Sequence, residues 1–487
     1  MSCAAAGCHG AAPAGEQRGS STAWTQWALT DPHRRALDVL YGERAVEIYR
    51  QLTRDEAPLT TAEARERFAI LLRDRCVGCH ATTDAAEGSD SSDETDPERE
   101  PVSARGPLTA LSWMEQRVEG ISCVTCHPQT PGWRDRHFLE SASGREGREQ
   151  HWAESHWPRR VSGCYACHAG DLHVGNRVYS VDHEMIAAGH PRLQFEMSSY
   201  LDRYPPHWDS TAIADRYRRA TGGFLHVGLW RLGQEQAVRQ QLLRMEHAVA
   251  SASRPASGQD WSHYACGQCH HTLHSPTRSL GANSPPRTRP TGWPQLVWQA
   301  WPGWVDASRL DEQESIRLPV ALADLRGELI RSTPTSPLPR EALDAVRRNL
   351  ASARPRLPVS SSDLMRHGHD LAQRLHAALG SSGDAAPAEF TGEWDDTLAW
   401  LQAAEAITRD VSSNATREEL HGATRDLRAA LARPEHFGRP AESAAEDCQA
   451  LYQLPLTFQK ALVTGELRRI AAALKDESLY EARSLSP

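Results

Sequence analysis

The chain has 487 residues, 24% of them charged, with a formal net charge of −9. That length allows two or three domains, and the acidic balance gives no electrostatic reason to bind nucleic acid or an anionic membrane. Counting Gly and leaving out Tyr, about 44% of the residues are apolar, just under the usual globular range, and no run approaches the roughly 18–20 apolar residues of a membrane span.

Residues 1–22 are rich in Ala, Gly and Ser and contain Cys3-Ala-Ala-Ala-Gly-Cys8-His9. Asp31-Pro32 predicts a helix start, with Thr30 or Asp31 as the cap and Pro32 in the first turn. Leu37, Leu40, Tyr41, Ile48 and Leu52 follow at helical spacing, and His33 shares the face of Leu37 and Leu40. Thr60-x-x-Glu63 is a capping-box pattern that opens a second helix through Phe68, Leu71 and Leu72. That helix delivers Cys76-Val-Gly-Cys79-His80 from its end. Residues 84–100 hold eight acids against Arg99 alone, which predicts a solvated, disordered loop and leaves the rest of the chain near neutral.

A short helix around Trp113 and Met114 precedes Cys123-Val-Thr-Cys126-His127. Pro128, Pro131 and Gly132 exclude a helix directly after it, so the chain loops back before His137. Cys164-Tyr-Ala-Cys167-His168 comes next. Asp182 predicts the N-cap of a short helix that Gly189 ends, placing His183 and His190 at its two ends, and Pro191 holds His190 extended. Residues 209–250 read as one long helix, followed by Cys266-Gly-Gln-Cys269-His270 with His271 adjacent.

Past this point the character changes. Residues 276–310 form a Pro- and Trp-rich linker, and helical patterns then run at about 312–331, 340–353, 361–380, 393–409, 416–432 and 443–475. Thr416-x-x-Glu419 and Ser443-x-x-Glu446 mark two starts. Leu364, Gly368, Leu371 and Leu375 make one apolar stripe, with His367, His369 and His376 off it and expected in solvent. The expected fold is mainly α with little strand: a domain over 1–275 carrying every Cys motif, the linker, and a helical bundle over 311–487.

Ten of the 11 cysteines fall in the five motifs, and each second cysteine is followed by His. With 23 His in 487 residues, five such followers arise by chance with a probability on the order of 10⁻⁷. Disulfides do not require that His, and zinc ribbons pair their Cys-x-x-Cys units some 15–20 residues apart, far closer than here. The pattern is the attachment chemistry of c-type haem: two thiols add across the vinyl groups and the adjacent imidazole ligates the iron. The expectation is five covalent haems, on Cys3/Cys8, Cys76/Cys79, Cys123/Cys126, Cys164/Cys167 and Cys266/Cys269, with His9, His80, His127, His168 and His270 as proximal ligands. The eleventh cysteine, Cys448, reads as a buried apolar residue. Such haem is attached outside the cytoplasm, so the chain is expected to be periplasmic or otherwise exported, although Met1-Ser2-Cys3 shows no signal-peptide pattern.

These residues resemble the multihaem c-type cytochromes of the cytochrome c-554 type, typified by a tetrahaem carrier that takes electrons from hydroxylamine oxidoreductase. The resemblance covers about residues 1–275. It is carried by the early Cys-x4-Cys-His-Gly, by Trp27…Asp31-Pro32-His33, Trp133…His137, His183…Gly189-His190-Pro191-Arg192, and Cys269-His270-His271. It implies a mostly helical domain of closely stacked haems with His33, His137, His183, His190 and His271 as distal-ligand candidates. The fifth motif and the long C-terminal extension depart from the tetrahaem members, so the pairing of distal His with haem does not carry over. Imidazoles on both faces leave an iron able only to relay electrons, which favours an electron carrier between redox proteins. The alternative is an enzyme acting on nitrite, hydroxylamine or nitric oxide at a haem with an open axial position, with His151, His156, His173 or Arg192 supplying protons. A third reading has residues 311–487 docking the chain onto a larger redox complex.

Overall fold

The computed structural model describes residues 9–12, 20–82, 120–126, 157–174, 177–191, 193, 195–203, 210–221, 223–251, 320–321, 324–325, 328, 340–352, 359–379, 394–411, 415–431 and 460–480. Helix makes up 78% of the interpretable part, so the protein is mainly α. The acidic segment 84–100, the linker 276–310 and Cys448 lie outside the described residues. Among those described, no helix is long and apolar enough to cross a membrane.

The chain divides into two compact units, residues 1–195 with 203–213, and residues 196–202 with 214–487. In the first unit, α1 (Ala23–Thr30) leads into two 3₁₀ turns, Pro32–Arg35 and Asp38–Tyr41, and α2 (Glu43–Thr53) follows. The single helix expected from Asp31 onward is therefore broken, with Gly42 extended at the junction. Next come α3 (Ala62–Arg75), the one-turn α4 (Val77–His80), α5 (Cys123–Cys126) and α6 (Trp157–His168). An antiparallel hairpin of β1 (Leu172–Val174) and β2 (Arg177–Tyr179) pairs Leu172 with Tyr179 and Val174 with Arg177. Helix α7 (His183–Ala187) follows it. The cap of α3 is Thr61 rather than Thr60, because its hydroxyl is the one three residues before the amide it accepts, that of Ala64 at 3.2 Å. Leu37, Leu40, Tyr49, Phe68, Leu72, Val77 and Tyr179 form the core under this arrangement.

Helices α8 (Met197–Arg203) and α9 (Ser210–Thr221), both cut by this division, lead to α10 (Leu225–Ser251) in the second unit. The long helix expected over 209–250 is thus two, interrupted where Phe224 bridges to Val359. Further on lie α11 (Arg340–Ser352), α12 (Ser361–Leu379), α13 (Trp394–Asp410), α14 (Ala415–Leu431) and α15 (Lys460–Ala473). Helix α14 packs on α15 and α13, α10 packs on α13, and α12 packs on α15. Helix α10 puts Val227, Trp230, Val238 and Leu242 into the same apolar cluster as these helices. The division therefore falls near residues 196–214, upstream of the boundary expected at 275. Ser360 and Asp363 cap α12 reciprocally, amide to side chain in both directions at 3.2 Å. Thr416, by contrast, caps nothing: α14 has already begun at Ala415, and its hydroxyl donates to Asp476 at 2.7 Å. His367 is not in solvent but 6% exposed, its ring 4.7 Å from that of Trp230.

Two residues make this unit testable. A Cβ on Gly368 would overlap the Tyr480 hydroxyl, which is itself held by the Leu474 carbonyl at 2.9 Å. Gly368→Ala should therefore cost about 1–3 kcal/mol of stability through overpacking, read as a lower melting temperature, although the same change in an open helix raises stability. Asp410, 3% exposed, caps α10 by accepting from Val227 N at 2.7 Å and from His226 N, and burial pushes its carboxyl up from 3.8 to about 7. The folded state then binds this proton more tightly than the unfolded chain does. Its contribution is complete below about pH 4 and is lost as pH rises through about 7. Urea midpoints should fall across that window, and Asp410→Asn, which keeps an oxygen acceptor, should remove that part of the fall.

Candidate functional site

The Cys-x-x-Cys-His unit is a geometric statement about one helical turn. At i, i+3 and i+4 the three side chains share a face, and α4 shows it: Cys79 N and His80 N both donate to Cys76 O, at 3.1 and 3.2 Å. Gly78 occupies the opposite side, where the Tyr179 ring lies so close that any Cβ would overlap it. Tyr179 is in turn anchored through its hydroxyl to the Arg73 carbonyl at 3.1 Å. The second pair of thiols lies on α5, and the third, with His168, at the end of α6. All six described motif cysteines are free thiols. Burial is the leading cause that pushes Cys76 up to about 12, Cys126 to about 11 and Cys164 to about 12. Cys167 is raised first by its hydrogen bond with Cys79 and then by burial.

The histidines fall into two facing pairs. His33 and His168, 135 residues apart in sequence, bring their Nε2 atoms to 3.5 Å, with ring planes at 86°. His80 and His190 stand with ring centres 6.4 Å apart and planes at 90°. Two imidazoles bound end-on to one metal at about 2 Å each would place their nitrogens about 4 Å apart and their ring centres about 6 Å apart. Each pair joins one motif histidine to one distant candidate. His127 is outside the described residues, as are Cys3, Cys8, His137, Cys266, Cys269, His270 and His271, together with His151, His156 and Arg192. His9 is half-buried, its carbonyl accepting from Trp24 N at 2.9 Å. His183 opens α7, half-buried, and belongs to neither pair. His173 is exposed on β1.

Each ring is held from behind. His80 Nδ1 donates to the Ala36 carbonyl at 2.8 Å, and His190 Nδ1 to the Pro191 carbonyl at 2.8 Å, which leaves Nε2 as the lone-pair nitrogen on both. His33 Nδ1 lies 3.2 Å from Asp31 Oδ1. His168 stacks on Phe195, ring centres 4.9 Å apart. His190 is aimed by a Schellman turn: His190 N donates to Met185 O at 2.9 Å and Gly189 N to Ile186 O at 3.0 Å, with Gly189 at φ +109°. The helix carrying that turn is tied to the Cys76 motif, since Asp182 caps α7 through Met185 N at 2.8 Å and pairs with Arg75 at 2.5 Å. Burial is the main cause that lowers the protonation of His168, to about 4, and of His80 and His190. The shift favours the neutral form of these three rings, the form that binds a metal.

The motif's donor types suit either zinc or haem. Among the described residues no three His, Cys, Asp or Glu side chains converge as a metal site. A structural zinc site takes four protein ligands, whereas among the described residues the imidazoles come in twos. Two opposed imidazoles beside paired thiols fit a haem: His80 with His190 and His168 with His33 would hold its iron, and the motif thiols would be its points of covalent attachment.

Sequence reading missed the groups that aim the ligands: the Ala36 carbonyl, Phe195, Arg75 and Gly120. A backbone carbonyl carries no side-chain signal, but Gly120 had one, as a glycine three residues before a motif cysteine. It runs beside the His33 turn, with Gly120 N on Arg34 O at 3.2 Å, Ile121 N on His33 O at 2.9 Å and Thr82 N on Gly120 O at 3.0 Å. A Cβ there would overlap His33 O, Arg34 O and Ala36 N, all backbone. Gly120→Ala should cost about 1–3 kcal/mol of stability or more, read as a lower melting temperature. Gly163→Ala in α6, where a Cβ meets nothing within 4 Å, should not lower it. In comparison with known proteins, no family model matches the chain, and neither a curated protein nor a solved structure is significantly similar to it.

Proposed function

We propose that the chain is an exported multihaem c-type cytochrome, pentahaem by its motif count, that carries electrons between redox proteins. The observation that supports this most is the pair of opposed imidazoles, each made of one Cys-x-x-Cys-His histidine and one distant histidine held by its own outer partner. On this reading His80 and His190 serve the haem on Cys76 and Cys79, and His168 and His33 serve the haem on Cys164 and Cys167. Bound haem supplies an iron that takes up and releases one electron.

The chain's own residues do the rest. The paired thiols of each motif would supply the sulfur atoms for two thioethers, and the one-turn helix α4 puts Cys76 and Cys79 on the same face as His80. The Ala36 and Pro191 carbonyls hold Nδ1 protonated on His80 and His190, so each offers Nε2. With one histidine of each pair as a ligand from either side, bound haem iron would have no position left for substrate and would only relay electrons. Export follows from the covalent haem chemistry, and partners with accessible redox centres from the carrier role.

Mass measurement and one absorption spectrum test this. The purified, exported chain should exceed its polypeptide mass by whole haem units, show a low-spin ferric spectrum, and leave its reduced spectrum unchanged under carbon monoxide. A bare polypeptide mass would end the proposal. A carbon monoxide-induced change would assign an open iron, and with it the enzyme reading on small nitrogen compounds.

A further inference from the structure

The two imidazole pairs differ in the charge placed behind their rings. His80 and His190 each donate Nδ1 to a neutral backbone carbonyl at 2.8 Å. His33 instead has a carboxylate, Asp31 Oδ1 lying 3.2 Å from Nδ1, and the same oxygen accepts the His33 amide at 2.7 Å. Asp31 is 5% exposed, so water screens its charge weakly. Its place is locked on both sides: its own amide donates to Trp27 O at 3.0 Å, and its carbonyl accepts from Arg34 N at 3.2 Å.

A carboxylate this close to the outer nitrogen would set a fixed negative charge near a bound iron. That charge would favour the oxidised over the reduced iron. A backbone carbonyl orients the ring equally well but brings no net charge. We propose that Asp31 is a positioning and tuning residue that makes the His33–His168 centre the more reducing of the two described pairs. The proposal rests on the haem reading above and adds to it a ranking of the two centres and the residue that sets it.

Spectropotentiometric titration of the full-length, haem-loaded protein tests this. Replacing an axial imidazole by a thioether raises the potential of its own centre, so His33→Met and His190→Met each mark one wave. In the unmodified protein the wave that His33→Met moves should lie below the wave that His190→Met moves. The reverse order overturns the proposal. Asp31→Asn keeps an oxygen acceptor for the His33 amide, so it should raise the His33-marked wave alone, at unchanged haem count. A protein with its full haem content and an unmoved His33-marked wave overturns it equally. A chain without haem by mass overturns the cytochrome reading and the ranking together, whereas a wrong order or an unmoved wave overturns the ranking alone.

Discussion

One turn of backbone, residues 31–36, fixes three separate attachments in the first unit. It presents His33 to His168, its Ala36 carbonyl sets the ring of His80, and its His33 and Arg34 carbonyls anchor the segment that leads into Cys123. The turn is short because Pro32 and the Asp31 side chain close it locally, Asp31 accepting the His33 amide two residues on. It is shared because Gly120 carries no side chain, which lets a second backbone pass within hydrogen-bonding reach. Displacing this turn would disturb both imidazole pairs at once. The geometry of the site therefore rests on backbone hydrogen bonds more than on side-chain packing.

The second unit is held by different means. Helix α13 and its neighbours bury Leu401, Ala404, Ile407, Leu420, Leu427, Leu467 and Leu474 essentially completely, and at roughly 1.5–3 kcal/mol for each large side chain this burial dominates. Set into that apolar bundle is a group of buried charges. Glu405 faces Arg428 and Arg409 and accepts from Ser199 at 3.3 Å, while Glu196 caps α8 through Ser198 N and Ser199 N at 2.8 and 2.6 Å. Such groups are tolerated because nearly every acceptor is used, and each would be costly to strip of its partner. Two of these contacts, Glu405 with Arg428 and Ser199 with Glu405, join different helices.

Much of this was legible beforehand where the cause is local. Helices at 340–352, 361–379 and 394–410 lie within a residue of the expected spans because their apolar stripes and breakers are contiguous in sequence. The short helix between Asp182 and Gly189 was equally legible, since an Asp cap and a positive-φ glycine act within a few residues. Misreadings arose where a distant contact overrode a local one. His367 looked solvated from its place off the apolar stripe, but α10 supplies Trp230 to cover it. Thr416 looked like a cap, but its hydroxyl is taken by Asp476, sixty residues on.

For the site the same division holds. The sequence alone determined which thiols and imidazoles share a helical face, because the spacing i, i+3, i+4 has only one meaning on an α-helical turn. It also determined that histidines would flank the Asp182–Gly189 helix. Only the tertiary structure decided that His33 faces His168 and that His190 pairs with His80, and which acceptor stands behind each ring. Those choices are made by hydrogen bonds and an ion pair between residues tens to more than a hundred positions apart. Such contacts depend on how the turns and helices stack, and no periodicity along the chain encodes them.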